Sequence, residues 1–309
     1  MILCSMWRVR VPATSANLGP GFDCLGIAVH LFLEVDATPS DRDSFDYQGA
    51  GSLPDHPDNL IHQSFRGALQ QLGIAAPSMA LQVRNPIPLA RGLGSSSAAL
   101  VAGAALADAF SGGRLGRSGV FEYAAAVEGH PDNVAPAIYG NFTVSAPSAP
   151  GDVGSYTTSV LPIPQRWRFL FGVPAFELPT EQARAALPEL VSRGAAVQSA
   201  ARSALWALAV ARDEPELLRT ASIDVLHEPY REPLVPGLAQ VRAALRDAGA
   251  FAAYLSGAGP SVAAVVDDAS SARCEALLER FVGDQGAVLR LSPAGGFELH
   301  ELHERHLGS

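Results

Sequence analysis

The stretch Pro88-Leu-Ala-Arg-Gly-Leu-Gly-Ser-Ser-Ser-Ala98 restricts the fold more than any other part of the chain. An alternating apolar run over 79–83 leads into it and an Ala/Leu-rich run to Phe110 follows, so it lies where a strand passes through a loop into a helix. The first amides of a helix lack intrahelical partners and carry the positive end of its dipole, which makes such a junction an anion site. Gly92 and Gly94 permit a bend and a close approach, and Ser95, Ser96 and Ser97 bring hydroxyls to the cap. A plain helix cap with small packing residues uses the same letters; three serines after Gly-Leu-Gly favour phosphate. The dinucleotide fingerprint does not fit, and neither does the nucleotide loop ending in Gly-Lys-Ser/Thr, because all 22 Lys+Arg residues are arginine.

At 309 residues the chain can bury one large or two ordinary cores without disulfides. A hydrophobic fraction of 48% with 17% charged residues is that of a globular protein, and the absence of a signal-like segment or long apolar run predicts a soluble, cytoplasmic one. Cys4, Cys24 and Cys274 have neither zinc-site nor dithiol spacing and are read as reduced and packed. A net charge of −9 without clustered arginines excludes a nucleic-acid backbone as the main partner. Small anionic ligands stay open to local arginines.

Val9 and Val11 mark a half-buried strand, followed by Pro12-Ala-Thr-Ser-Ala-Asn-Leu-Gly-Pro-Gly-Phe-Asp23, a rigid loop displaying Asn17 and Asp23. Those two side chains either bond only their own backbone or grip a ligand. A hairpin partner at 27–35, a helix at 59–72 and the strand at 79–83 come next. Beyond the glycine loop and its helix, Ser118 is expected to cap a helix running through Glu128, and His130-Pro-Asp-Asn-Val-Ala-Pro136 to display His130, Asp132 and Asn133. After a short strand at 140–145, the Pro/Gly/Ser-rich 148–155 is the candidate domain crossing, dividing the chain into 1–155 and 156–309. The second part alternates strands (157–161, 169–173) with helices near 180–187, 190–212, 216–222 and 238–248, then two short strands around Tyr254-Leu-Ser-Gly-Ala-Gly-Pro-Ser-Val262. A helix at 271–282 and a final strand at 288–291 complete an α+β chain, with 299–306 read as a solvated tail.

The loops at 12–23, 88–98 and 255–261 resemble, in order and spacing, the three motifs of the GHMP small-molecule kinases. Glu128-Gly-His-Pro-Asp-Asn-Val-Ala-Pro136, Thr180 with Arg184, and His227-Glu-Pro-Tyr-Arg-Glu-Pro-Leu-Val-Pro236 narrow the resemblance to that family's homoserine-phosphorylating branch. The likeness runs from about residue 9 to residue 291. It implies an N-terminal domain with a left-handed βαβ crossover, a C-terminal ferredoxin-like α/β sandwich, ATP with Mg2+, L-homoserine as acceptor on a route to threonine, and a common homodimeric state. It implies that Pro88, Leu89, Ala90, Arg91, Gly92, Leu93, Gly94, Ser95, Ser96, Ser97 and Ala98 wrap the triphosphate. The metal falls to Glu122, counted eight positions before His130, with Ser96 or its neighbour Ser95. Asn17, Asp23, His130, Thr180, Arg184 and Arg231, closed over by Gly257 and Gly259, form the amino-acid pocket, with Asn133 near the acceptor hydroxyl.

Elementary chemistry agrees with those roles. A zwitterionic acceptor needs an anion for its ammonium, as Asp23 offers, and a bidentate cation for its carboxylate, as Arg184 or Arg231 offers. Phosphoryl transfer depends chiefly on alignment and charge neutralisation, so a strong base is optional. An Asp/Lys pair cannot operate in a lysine-free chain, which leaves direct transfer, with His130 or Asp132 as weaker bases. The rival expectations are a kinase of another small alcohol, such as threonine, and a ligand-binding relative without turnover.

Overall fold

The computed structural model describes residues 6–49, 59–150 and 155–302. Strand β1 (Met6–Ala16) runs antiparallel to β2 (Leu25–Pro39), with a register break between Pro12 and Ala13 just where the rigid loop begins. β3 (Ser44–Gly49) lies parallel to β4 (Met79–Asn85), the crossover between them carrying α1 (Leu60–Gln71). Every second residue of β4 is buried, from Met79 through Leu81 and Val83 to Asn85, as a strand with one covered face requires. Asn59 caps α1 by accepting from the amides of Ile61 and His62.

Three further helices, α2 (Ser95–Phe110), α3 (Gly116–Glu128) and α4 (Val134–Tyr139), pack with α1 against the sheet. α2 is the central one, and its run of small apolar residues from Ala98 to Ala107 is largely buried on every side. Gly103 lets α1 come close, since a Cβ there would meet the Ile61 carbonyl at 2.4 Å. Ser118 does not cap α3. Asp108 Oδ1 accepts from the amides of Leu115 and Gly116 at 2.9 and 2.8 Å, so a carboxylate outside the helix starts it three residues earlier, with Leu115 in the cap position.

β5 (Phe142–Pro147) pairs with β2 and with β6 (Tyr156–Leu161), so 148–155 joins two strands of the first sheet. The passage to the second sheet lies between β6 and β7 (Arg168–Val173). Helices α5 (Thr180–Ala185), α6 (Arg193–Arg212), α7 (Leu218–Ala221) and α8 (Glu228–Arg231) follow β7. Then come α9 (Leu238–Asp247), β8 (Ala252–Leu255), β9 (Val262–Val266), α10 (Asp268–Val282) and β10 (Ala287–Leu291). The second sheet runs β10-β7-β9-β8 with every pair antiparallel. That order with one helix in each of two crossovers is the split βαβ arrangement of a ferredoxin-like sandwich. α5 to α8 are an excursion from it.

The chain does not end in solvent after β10. β11 (Glu298–Leu302) returns to pair antiparallel with β1 as an edge of the first sheet, replacing the tail expected over 299–302; residues 303–306 lie outside the described set. Arg10 bridges Glu34 on β2 and Glu298 on β11, a cross-strand charge pattern that reads as solvated only until its partners are known. Trp206 of α6 is buried between Phe142 of β5 and Tyr254 of β8, with ring centroids 6.2 and 5.9 Å away, and so joins the packing of the two sheets. Among the described residues no helix is long and apolar enough to cross a membrane.

Candidate active site

The head of α2 opens on a cavity of about 110 Å³ between the two sheets. Its N-cap is Gly94 at φ 69°, and no side chain caps it. The three serines turn elsewhere: Ser95 Oγ accepts from Asn85 Nδ2 at 3.2 Å, Ser97 Oγ donates to Glu128 Oε1 at 2.8 Å, and Ser96 is exposed. The first helical hydrogen bond is donated by Ala98 to Gly94, leaving the Ser95, Ser96 and Ser97 amides for a ligand. Only glycine fits at 94, because a Cβ would stand 1.9 Å from Thr14 Oγ1 and 3.1 Å from Asn133 Oδ1.

The third glycine loop lies on the second. Ser256 Oγ donates to the Gly92 carbonyl at 2.6 Å, and the Gly257 amide reaches the Ala16 carbonyl at 3.1 Å. Arg91 braces the loop from outside, donating to the carbonyls of Leu89, Pro174 and Ala175. Of the expected phosphate residues, Pro88 and 90–97 line the cavity, Leu89 faces the neighbouring one, and Ala98 is buried behind the helix head.

Glu122 does not reach this cavity. It is exposed on α3 and, among the described residues, accepts only from Ser118 Oγ, at 3.3 Å. Glu128, six positions further on, lines the cavity and bonds Ser97. Two residues so spaced on one helix are about 9 Å apart along the axis and about 120° apart around it, so only one of them can face a given site. Burial pushes the Glu128 carboxyl up, against the opposing pull of His130 and of the Ser97 hydrogen bond. Sequence reasoning placed Ser97 among the triphosphate residues but missed Glu128; the signal was Glu128's position at the end of α3, next to the turn that carries His130.

The opposite wall gathers His130, Asp132, Asn133, Thr180, Arg184 and Arg231, under Gly257 and Gly259. His130 Nδ1 and Asp132 Oδ1 are 2.7 Å apart. Burial alone lowers the His130 pKa, but the Asp132 hydrogen bond and the charges of Asp132 and Glu128 outweigh it and raise it overall. Asn133 Oδ1 accepts from Thr14 Oγ1 at 2.7 Å beside Gly94, which sets it at the junction between the two ends of the cavity. Asp23 and Arg184 form a bidentate pair with each other at 3.0 and 2.7 Å. Asn17 is buried as a brace between two loops, accepting from the Asp23 amide and donating to the Gly257 carbonyl. Arg231 is fully buried, and desolvation, aided by the charge of Arg184, brings its pKa down to about 10.

A second, mostly apolar cavity of about 380 Å³ adjoins the first, sharing Ala90, Ser95 and Ser96 with it. Leu33, Phe45, Tyr47, Leu60, Ile61 and Val83 form its walls.

This combination of an uncapped helix head, a glycine loop pressed on it from a ferredoxin-like half, and an adjoining charged pocket matches one family in both halves. Residues 59–141 match the model of the GHMP kinases N terminal domain, and residues 204–282 that of the GHMP kinases C terminal domain. The chain belongs to the GHMP kinase family and is an ATP-dependent small-molecule kinase. Its curated relatives include the homoserine kinases of Thermus thermophilus, 47% identical over 94% of this chain and 97% of theirs, and of Desulfitobacterium hafniense, 39% identical over 91% and 93%. The crystal structure of homoserine kinase from Cytophaga hutchinsonii superposes with a TM-score of 0.82 at 27% identity, covering 96% of this chain and 97% of that one.

Proposed function

We propose that the chain transfers the γ-phosphoryl group of ATP to the side-chain hydroxyl of L-homoserine, giving O-phospho-L-homoserine for threonine synthesis. The observation that carries the reading is the opposition within one cavity of the free amides of α2, beside Ser97 and Glu128, to Arg184 and Arg231, with Asp23 joined to that wall through its bidentate pair with Arg184. The first end suits a triphosphate and the second a zwitterion. The apolar cavity flanked by Tyr47 and Phe45 suits the adenine, since it continues directly from Ser95 and Ser96.

The metal reading is tested by Glu128. A carboxylate that burial makes reluctant to ionise, beside a hydroxyl oxygen and facing a polyanion site, is a hard-donor set that a dication would relieve. Glu128 and Ser97 would therefore hold Mg2+, which neutralises phosphate charge when bound. In place of the Asp23–Arg184 pair, the acceptor's ammonium takes Asp23 and its carboxylate takes Arg184 and Arg231. Asn133 holds the acceptor hydroxyl in line, and transfer proceeds by positioning, with the His130–Asp132 pair available to receive the proton. The two domains 1–155 and 156–309 face each other across the cavity, with β6 and β11 lent to the first sheet. A cytoplasmic location and a homodimeric state belong to the same reading.

The test is release of ADP by the purified chain with ATP, Mg2+ and homoserine, compared with threonine and with the deaminated analogue. Preference for homoserine by a hundredfold or more in kcat/KM is expected. Equal use of the deaminated compound would remove Asp23 from its role.

A further inference from the structure

His227 is fully buried at the start of α8, and its two ring nitrogens meet different partners. Nε2 lies 2.8 Å from the Gly19 carbonyl in the first glycine loop, and Nδ1 lies 3.0 Å from Arg231 Nη1. A carbonyl can only accept and a guanidinium can only donate, so one state of the ring satisfies both: neutral, with the proton on Nε2. Any other state leaves a buried donor facing a donor, or an acceptor facing an acceptor.

The surroundings hold that state. The ring faces Asp224, whose Oδ2 is 3.7 Å from Nε2, Arg231 on its own helix and Arg242 on α9. Desolvation dominates over Asp224 and, with the two arginines, lowers the His227 pKa to about 4. Asp224 is itself committed to capping α8, accepting from the amides of Leu226, His227 and Glu228. The Phe22 ring lies 5.4 Å from the His227 ring, and the guanidinium carbons of Arg184 and Arg231 each lie 5.5 Å from Phe22.

Arg231 is thereby gripped on one edge only. Nε donates to the Ala183 carbonyl, and Nη1 is shared between the Gly257 carbonyl and His227 Nδ1. Among the described residues Nη2 has no protein acceptor, on a side chain that lines the acceptor cavity. We propose that His227 is a positioning residue: held as the Nε2–H tautomer between Gly19 and Arg231, it fixes the guanidinium so that Nη2 meets the acceptor's carboxylate. The proposal rests on the homoserine reading for the identity of that carboxylate, and it ties the first glycine loop to the carboxylate-binding arginine through one ring.

Two measurements on the full chain test it. Long-range 15N–1H spectra of the wild type, with the His227 signals assigned by their loss in His227→Phe, should show a neutral Nε2–H ring unchanged from about pH 8 to about pH 5.5. A ring that titrates in that range, or carries its proton on Nδ1, overturns the proposal. In kinetics, His227→Phe should raise the KM for homoserine by about ten- to a hundredfold, with the KM for ATP and kcat within about threefold. His227→Gln, whose amide can donate to Gly19 and accept from Arg231, should recover most of the loss. Equal changes in both KM values, or no rescue by glutamine in a variant with unchanged melting, would assign His227 a merely structural role. If the wild type does not turn over homoserine, the functional reading fails instead, and the ring spectrum still decides whether His227 holds Arg231 as described.

Discussion

Replacing Glu128 by Gln separates the two candidate metal carboxylates of α3. The substitution keeps the volume and an acceptor oxygen for Ser97 Oγ, now 2.8 Å from Glu128 Oε1, and removes only the charge. Loss of one aligned electrostatic group at a phosphoryl-transfer site lowers kcat by about 10²- to 10³-fold. Stability should move the other way. Burial already pushes the Glu128 carboxyl up, so the folded chain bears a desolvation penalty at neutral pH that an amide does not, and the melting temperature of Glu128→Gln should equal or exceed that of the parent. Glu122→Ala is the control. Its side chain is exposed, accepts from Ser118 and stands about 120° round the helix from Glu128, so kcat should stay within about twofold. The assay is steady-state ADP release across a Mg2+ titration, with thermal unfolding of each variant alongside. A normal rate in Glu128→Gln together with collapse in Glu122→Ala would refute the assignment.

Asp23→Asn should raise the KM for homoserine by about ten- to a hundredfold and leave that for ATP unchanged, because it removes the carboxylate now paired with Arg184; the opposite split would reassign the residue to nucleotide. Gly92→Ala should lower stability by about 1–2 kcal/mol from its left-handed φ of +72°. It should also reduce kcat/KM at least tenfold, since the new Cβ would stand 2.1 Å from the Ser256 carbonyl and force the third loop off the second; wild-type kinetics and melting would sink that account. Fully buried Glu228 accepts from the Leu255 amide and lies 2.5 Å from Arg242, yet burial carries its carboxyl up to about 7 against the pull of Arg242. Its folded pKa thus exceeds the ordinary 4.5, so between these values the folded state binds more protons and stability falls as pH rises. Urea unfolding at about pH 5 and about pH 8 should therefore show a smaller loss for Glu228→Gln than for the wild type, and an equal or larger loss would contradict the shift.

The local turns were legible in the chain because their chemistry is local. Glycines that must bend, an Ala/Leu run that must be covered on all sides and a four-residue spacing such as Thr180 to Arg184 each carry their reason within a few residues. The alternation of β4, the ends of α1 and the C-terminal end of α6 were readable for the same reason. What misled were features whose partners lie far along the chain. Ser118 looked like a cap until Asp108, ten positions back, supplied the carboxylate. The Leu/His/Glu alternation after residue 298 looked solvated until β1 offered an edge. Counting along the chain chose Glu122, whereas the cavity admits Glu128, because facing is set by helical rotation as well as by distance.

By itself, then, the sequence determined the three glycine loops, the helix whose head one of them opens, the absence of any lysine chemistry and a charge inventory suited to a zwitterion beside a polyanion. Only the tertiary structure decided which of those groups meet. It pressed Ser256 onto Gly92, paired Asp23 with Arg184 across 161 positions and seated His227 between Gly19 and Arg231. The reason is physical: backbone conformation is set by neighbouring residues, whereas the direction and charge state of a buried polar group are set by whatever the fold brings within hydrogen-bonding distance.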